Sequence, residues 1–74
     1  MNPLTQKEAK QLFLGIVKIS EGIKKTQIVA CPPFIYLESL RKLSKKIPLG
    51  AQNTFFPEIG AFTGEVSGTM LADI

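Results

Sequence analysis

The run Ile28-Val29-Ala30-Cys31, followed at once by Pro32-Pro33, most narrows what this chain can become. Its four residues are continuously apolar rather than alternating, which suits a strand covered on both faces, as in a parallel sheet. Proline has no amide hydrogen to give a ladder, so the strand must stop at Pro32. A second run of this kind spans Ile47 to Gln52, where Gly50 marks a close approach of backbone. Parallel strands need a long crossover, and a helix expected over Phe34 to Ser44 supplies it. Tyr36 or Leu37, Leu40 and Leu43 give that helix an apolar face, and Glu38 stands at ion-pair spacing from Arg41 and Lys42.

A first helix is announced by Thr5-Gln-Lys-Glu8, a capping box in which the threonine hydroxyl accepts from the Glu8 amide while Glu8 reaches back. Leu4 and Ala9 hold the flanking staple positions. Ala9, Leu12, Phe13, Ile16 and Val17 form one helical stripe, Lys7, Lys10 and Gln11 take the wet face, and Gly22 is the expected stop. Ser67 can cap a third helix that begins at Gly68. The expected order is helix, strand, helix, strand, long loop, helix start: an α/β class with parallel strands and right-handed crossovers. Two strands and two whole helices cannot cover both faces of such a sheet, and both strands would be open edges. Residues 1–74 are therefore expected to be an incomplete piece of one larger domain. Because parallel strands need cover on both faces, the isolated chain is expected to be molten or aggregated, with the first helix its most persistent segment.

Between the second strand and Ser67 runs a loop holding Phe55, Phe56 and Phe62 among turn-forming glycines. Loops this long are functional or disordered, and the aromatic content argues for order. Such a loop reads as something that docks. For Phe55 and Phe56 two readings stand open, self-packing of the loop and contact with a partner. The chain has no histidine, which removes the commonest general acid/base and the commonest metal ligand. Its lone Cys31 allows no disulfide framework and no zinc spacing, and with no histidine to activate it the thiol reads as a buried packing residue. No cofactor or metal site is expected. Gly60, Gly64 and Gly68 recur like a membrane-helix motif, but Glu65 intervenes and no apolar stretch of spanning length exists. No phosphate-cradling P-loop occurs. Lys7, Glu8 and Lys10 interrupt any signal-peptide core, so a cytoplasmic location is expected. The net charge of +3 resides in Lys24 and Lys25, Arg41 and Lys42, Lys45 and Lys46, at helix ends and connections. Without aromatic interleaving these read as solvated surface that complements helix dipoles, not as a nucleic-acid site.

Three blocks carry a specific likeness: Val29-Ala-Cys-Pro-Pro-Phe34, Gly50-Ala-Gln-Asn53, and Gly60-Ala-Phe-Thr-Gly-Glu-Val-Ser67 with Met70-Leu71. In order and spacing they resemble the triosephosphate isomerases, and Met1-Asn2 resembles the end of that family's first-strand segment. The resemblance runs the length of the chain. It implies a partial TIM (β/α)8 barrel, from the first helix to the start of the third, about 30% of a barrel of roughly 250 residues. The activity it implies is the glycolytic and gluconeogenic interconversion of dihydroxyacetone phosphate and glyceraldehyde 3-phosphate. The family does this by proton transfer, without a cofactor, using a glutamate base, a neutral histidine and a lid loop. On the resemblance, the substrate-binding asparagine and lysine fall before Met1 and the histidine, base and lid after Ile74. No catalytic residue is then expected here, and the chain alone is expected to be inactive. Glu8, Glu21, Glu38, Glu58 and Glu65 read as surface or structural carboxylates.

What the resemblance does place in this chain is a dimer contact. In the family the third loop enters a pocket of the twin subunit beside its active site. That makes Asn53 to Val66 the homodimer loop, with Thr63 as fingertip near the twin's catalytic lysine. Phe62 and Gly64 shape the tip, Glu65 pairs with an arginine beyond Ile74, and Gln52 and Asn53 anchor the base. An alternative is a non-catalytic, truncated paralogue that docks on intact isomerase subunits through the same loop.

Overall fold

Helix α1 spans Gln6–Ser20 and begins where the capping box places it. Thr5 Oγ1 accepts from the Glu8 amide at 3.1 Å. The reciprocal bond differs by one residue: Glu8 Oε2 accepts from the amide of Leu4, also at 3.1 Å, rather than from the cap residue Thr5 itself. At the other end the Gly22 amide reaches Ile19 O at 3.2 Å, but Gly22 lacks a positive φ, so no left-handed cap forms. All of residues 1–74 are described by the structure, a computed structural model. Ala9, Phe13 and Val17 are the buried line of α1, with Ile16 beside them; Leu12 remains 44% exposed, so the buried stripe is narrower than the periodicity implied.

The second helix starts later than expected. Pro33, with no side chain to cap a helix, leads into a single 3₁₀ turn over Phe34–Tyr36, and α2 proper covers Leu37–Leu43. Tyr36, Leu37 and Leu40 are all buried, while Leu43 stands 40% exposed. Glu38 pairs with Lys42 at 3.2 Å on the wet face, an exposed pair worth about 0.3–0.5 kcal/mol. Ala9, Phe13, Val17, Ala30, Tyr36, Leu40 and Ile47 form one core between α1, α2 and the two bridged segments, joined by Ile16 and Leu49. Phe13 and Leu40 are fully enclosed.

The two expected strands are reduced to a single parallel bridge, Ala30 with Leu49. The Ala30 amide donates to Pro48 O at 3.1 Å, and the Gly50 amide donates to Ala30 O at 2.9 Å. The physical reason is that neither segment has a neighbour on its outer edge and only one face of the pair is covered. Alternation along the backbone separates those faces. Ala30, Ile47 and Leu49 turn toward the helices, whereas Val29 is half-exposed on the other side. A Cβ on Gly50 would stand 2.9 Å from Cys31 Sγ and 3.6 Å from Val29, so Gly50 leaves room for both on that bare face. Cys31, expected to be buried, is exposed there because nothing covers it.

A second parallel bridge joins Phe55 to Ser67 and closes the long loop on itself. Ser67 then caps α3, Gly68–Asp73, by accepting from the Met70 amide at 3.3 Å, as expected. The radius of gyration is 13.6 Å, against about 11 Å for a compact domain of this length. The excess reflects an elongated body, 45 Å in its longest dimension.

Candidate functional site

The loop from Asn53 to Val66 is built by bonds at its foot and a tight turn at its tip. At the foot, Gln52 Nε2 donates to Met1 O at 2.6 Å and to Cys31 O at 2.8 Å, gathering three distant parts of the chain. The Phe55 amide donates to Val66 O at 2.8 Å, and Thr54 Oγ1 donates to the same carbonyl at 3.2 Å. At the tip, the Glu65 amide donates to Phe62 O at 3.0 Å across Thr63 and Gly64. Gly64 has φ +90°, the positive φ that a type II turn places at its third residue. Between foot and tip, the Phe55 and Phe62 rings meet at a centroid separation of 5.0 Å, tilted by 54°. That geometry is a favoured aromatic pair.

The two readings of the loop phenylalanines thus divide. Phe55 is half-buried against Phe62, inside the loop. Phe56 packs on nothing: it is 92% exposed, and Ile59 beside it is 91% exposed. Thr63, Gly64 and Glu65 are exposed at the tip. The chain's ion pairs use Glu38 and Glu21, which leaves the Glu65 carboxylate without a cation in this chain. Asn53 is exposed and, with Phe34 and Glu65, lines a cavity of about 220 Å³ at the loop's flank. Sequence reasoning placed Gln52 at the loop base without its bonds to Met1 and Cys31, which no local spacing signals. It also did not find the cavity of about 230 Å³ between α2 and α3, lined by Leu37, Leu49, Leu71 and Ile74 among others.

No group of three His, Cys, Asp or Glu side chains comes together as a metal set. The one carboxyl clearly displaced from its ordinary value is that of Glu21, held low by its hydrogen bond to Lys46 at 2.7 Å and by the charges of Lys46 and Lys24. It lies toward the opposite ends of the bridged segments from the loop. No helix is long and apolar enough to cross a membrane.

The family model described as triosephosphate isomerase matches residues 1–74. The chain belongs to the triosephosphate isomerase family. It is 42% identical over 69 residues to the triosephosphate isomerase of Dictyoglomus thermophilum, a match that covers 90% of this chain and 28% of that relative. The corresponding isomerase of Dehalococcoides mccartyi is 43% identical over 72 residues, 95% of this chain and 29% of the relative. That of Clostridium tetani is 48% identical over 58 residues, 76% of this chain and 22% of the relative. The chain thus spans less than a third of the length of each of these isomerases. No solved structure matches it. Membership of the triosephosphate isomerase family implies a (β/α)8 barrel; this chain by itself shows three α-helices, one 3₁₀ turn and two isolated bridges.

Proposed function

We propose that residues 1–74 are one segment of a triosephosphate isomerase barrel, supplying a subunit-docking loop but none of the groups that move the proton. The complete protein would be a cytoplasmic homodimer of glycolysis and gluconeogenesis. It would interconvert dihydroxyacetone phosphate and glyceraldehyde 3-phosphate without a cofactor. The observation that carries this reading is the family match over the whole chain, at less than a third of the relatives' length. Within it, Gln52 and Asn53 anchor the loop, Phe62 and Gly64 shape its tip, Thr63 is the fingertip and Glu65 waits for a cation from outside this chain. The bare Val29–Cys31–Gly50 face is what a barrel would fill with side chains from its other strands.

The loop is ordered by contacts within the chain, Phe55 to Val66 and Phe55 to Phe62. That favours a second reading, a truncated paralogue that docks on intact isomerase subunits. Two measurements separate them. The first is the intact mass of the native product in its source cells. A mass of about 27 kDa, expected of a full barrel, makes this a segment of an ordinary isomerase; a mass of 8.1 kDa refutes the segment reading. The second adds the 74-residue chain to a complete isomerase. Co-elution that Thr63→Lys abolishes supports docking through the tip, and no co-elution at high micromolar concentration removes the paralogue reading.

A further inference from the structure

At the end of the bridged segments away from the loop, a cleft of about 560 Å³ opens between the turns that follow α1 and α2. Ile23, Ile28, Ile47 and Pro48 give it apolar walls, and Arg41, Lys45 and Lys46 give it charge. The Glu21–Lys46 ion pair, 2.7 Å long, ties the two turns together. Lysines near helix ends ordinarily offset the helix dipole, and here two carboxyl-terminal ends, at Ser20 and Leu43, converge on the cleft. Each is equivalent to about half a negative charge. Glu21 adds one more, so the negative side totals about two against the three cations that line the cleft, Arg41, Lys45 and Lys46. About one positive charge remains uncompensated.

Arg41 sharpens the point. It is half-buried, it lines both this cleft and the apolar cavity behind α2, and neither ion pair of the chain uses it. A guanidinium offers a planar fork of donors matched to a carboxylate. No aromatic ring lines the cleft for bases to stack on, which argues against single-stranded nucleic acid. Its size and its isoleucine walls exceed what a lone inorganic anion would fill.

We propose that this cleft is a docking surface for an acidic segment of a partner protein. The segment's carboxylates meet Arg41, Lys45 and Lys46, and its apolar side chains lie over Ile23 and Ile28. The proposal is independent of the loop and of the isomerase reading. The test is fluorescence anisotropy of a labelled peptide repeating Glu-Glu-Leu, titrated with the 74-residue chain. The double variant Arg41→Ala/Lys45→Ala should weaken binding about tenfold, on the order of 1.4 kcal/mol. Lys7→Ala/Lys10→Ala, which removes the same charge from the first turns of α1, should leave it within about twofold. Because Arg41 is half-buried and its loss could disturb α2, the single exposed variant Lys45→Gln is read alongside and should weaken binding about threefold. Equal weakening by both double variants would reduce the effect to bulk charge and overturn the proposal. So would no effect of Lys45→Gln, no saturable binding at micromolar concentration, or tighter binding to oligothymidylate than to the peptide.

Discussion

Replacing Gly60 by alanine should loosen the loop more, and more widely, than replacing Gly64, although both have positive φ. The angles are +140° at Gly60 and +90° at Gly64. Alanine pays a backbone cost of about 1–3 kcal/mol in either place. Only at Gly60 does the new methyl collide: it would stand 2.5 Å from Phe62 Cε2, 3.1 Å from Cδ2 and 3.3 Å from Cζ, whereas nothing lies within 4 Å at Gly64. Phe62 can yield only by leaving Phe55, its partner at 5.0 Å. That pair is worth about 0.5–1.5 kcal/mol beyond its buried area. With the apolar surface that Phe55 then exposes, the excess of Gly60→Ala over Gly64→Ala is about 1–2 kcal/mol, or roughly 5- to 30-fold in an opening equilibrium.

Native-state amide exchange reads this directly, because local opening sets the rate at each bonded amide. The Phe55 amide reports the foot through its bond to Val66 O, and the Glu65 amide reports the turn through its bond to Phe62 O. Gly64→Ala should speed exchange at Glu65 and leave Phe55 near its original rate. Gly60→Ala should speed both, and should erase the contact signals between the Phe55 and Phe62 rings in a nuclear Overhauser spectrum. If Phe55 exchanges equally fast in the two variants, the aromatic pair does not hold the loop and the steric argument fails.

Other outcomes follow from the core and the ion pairs. Phe13→Ala empties a fully enclosed site and should destabilise the chain by about 3–5 kcal/mol in urea titration; Leu12→Ala, at a position 44% exposed, should cost under about 1 kcal/mol. The Glu21 carboxyl is held below its ordinary value of 4.5 by Lys46, so its contribution is present above that value and is lost as pH falls through the lowered one. Glu21→Gln should therefore flatten the dependence of melting temperature on pH in the acid range and leave it unchanged at neutral pH and above, apart from a constant offset. A dependence as steep in the variant as in the parent would assign it to other carboxylates.

How legible a feature was in the sequence depended on how far its partners lie along the chain. Thr5 with Glu8, and Ser67 with Met70, are three residues apart, so their caps could be read from spacing alone. The stripe through Ala9, Phe13 and Val17 is similarly local, and only its width was misjudged at Leu12. The strands failed for the opposite reason. A strand's hydrogen bonds belong to its neighbours, and the run at Ile28 has one neighbour, met at one bridge. Gln52 joins residues 51 and 21 positions away, and no pattern within a window of sequence announces that. The loop fell between these cases. Its glycines and aromatics promised order, but which ring turned inward depended on the fold of the loop as a whole.

The strand amides give the partial barrel a sharper test than the fold alone. In a parallel pair, alternate residues direct their amides to opposite edges. Ala30 and Gly50 direct theirs into the bridge, to Pro48 O and Ala30 O. Val29, Cys31, Leu49 and Ala51 must then direct theirs outward, to edges that this chain leaves without a partner strand. In the 74-residue chain the two inward amides should exchange more slowly than the four outward ones, by about tenfold for a single net hydrogen bond of roughly 1 kcal/mol or a little more. Within a complete isomerase barrel the outward amides would meet the first and fourth strands, and the difference should vanish into uniform protection. Two results would each break the argument. Uniform protection in the chain alone would mean that the edges are already satisfied, and persistent alternation in the complete protein would mean that these segments do not lie inside a closed sheet.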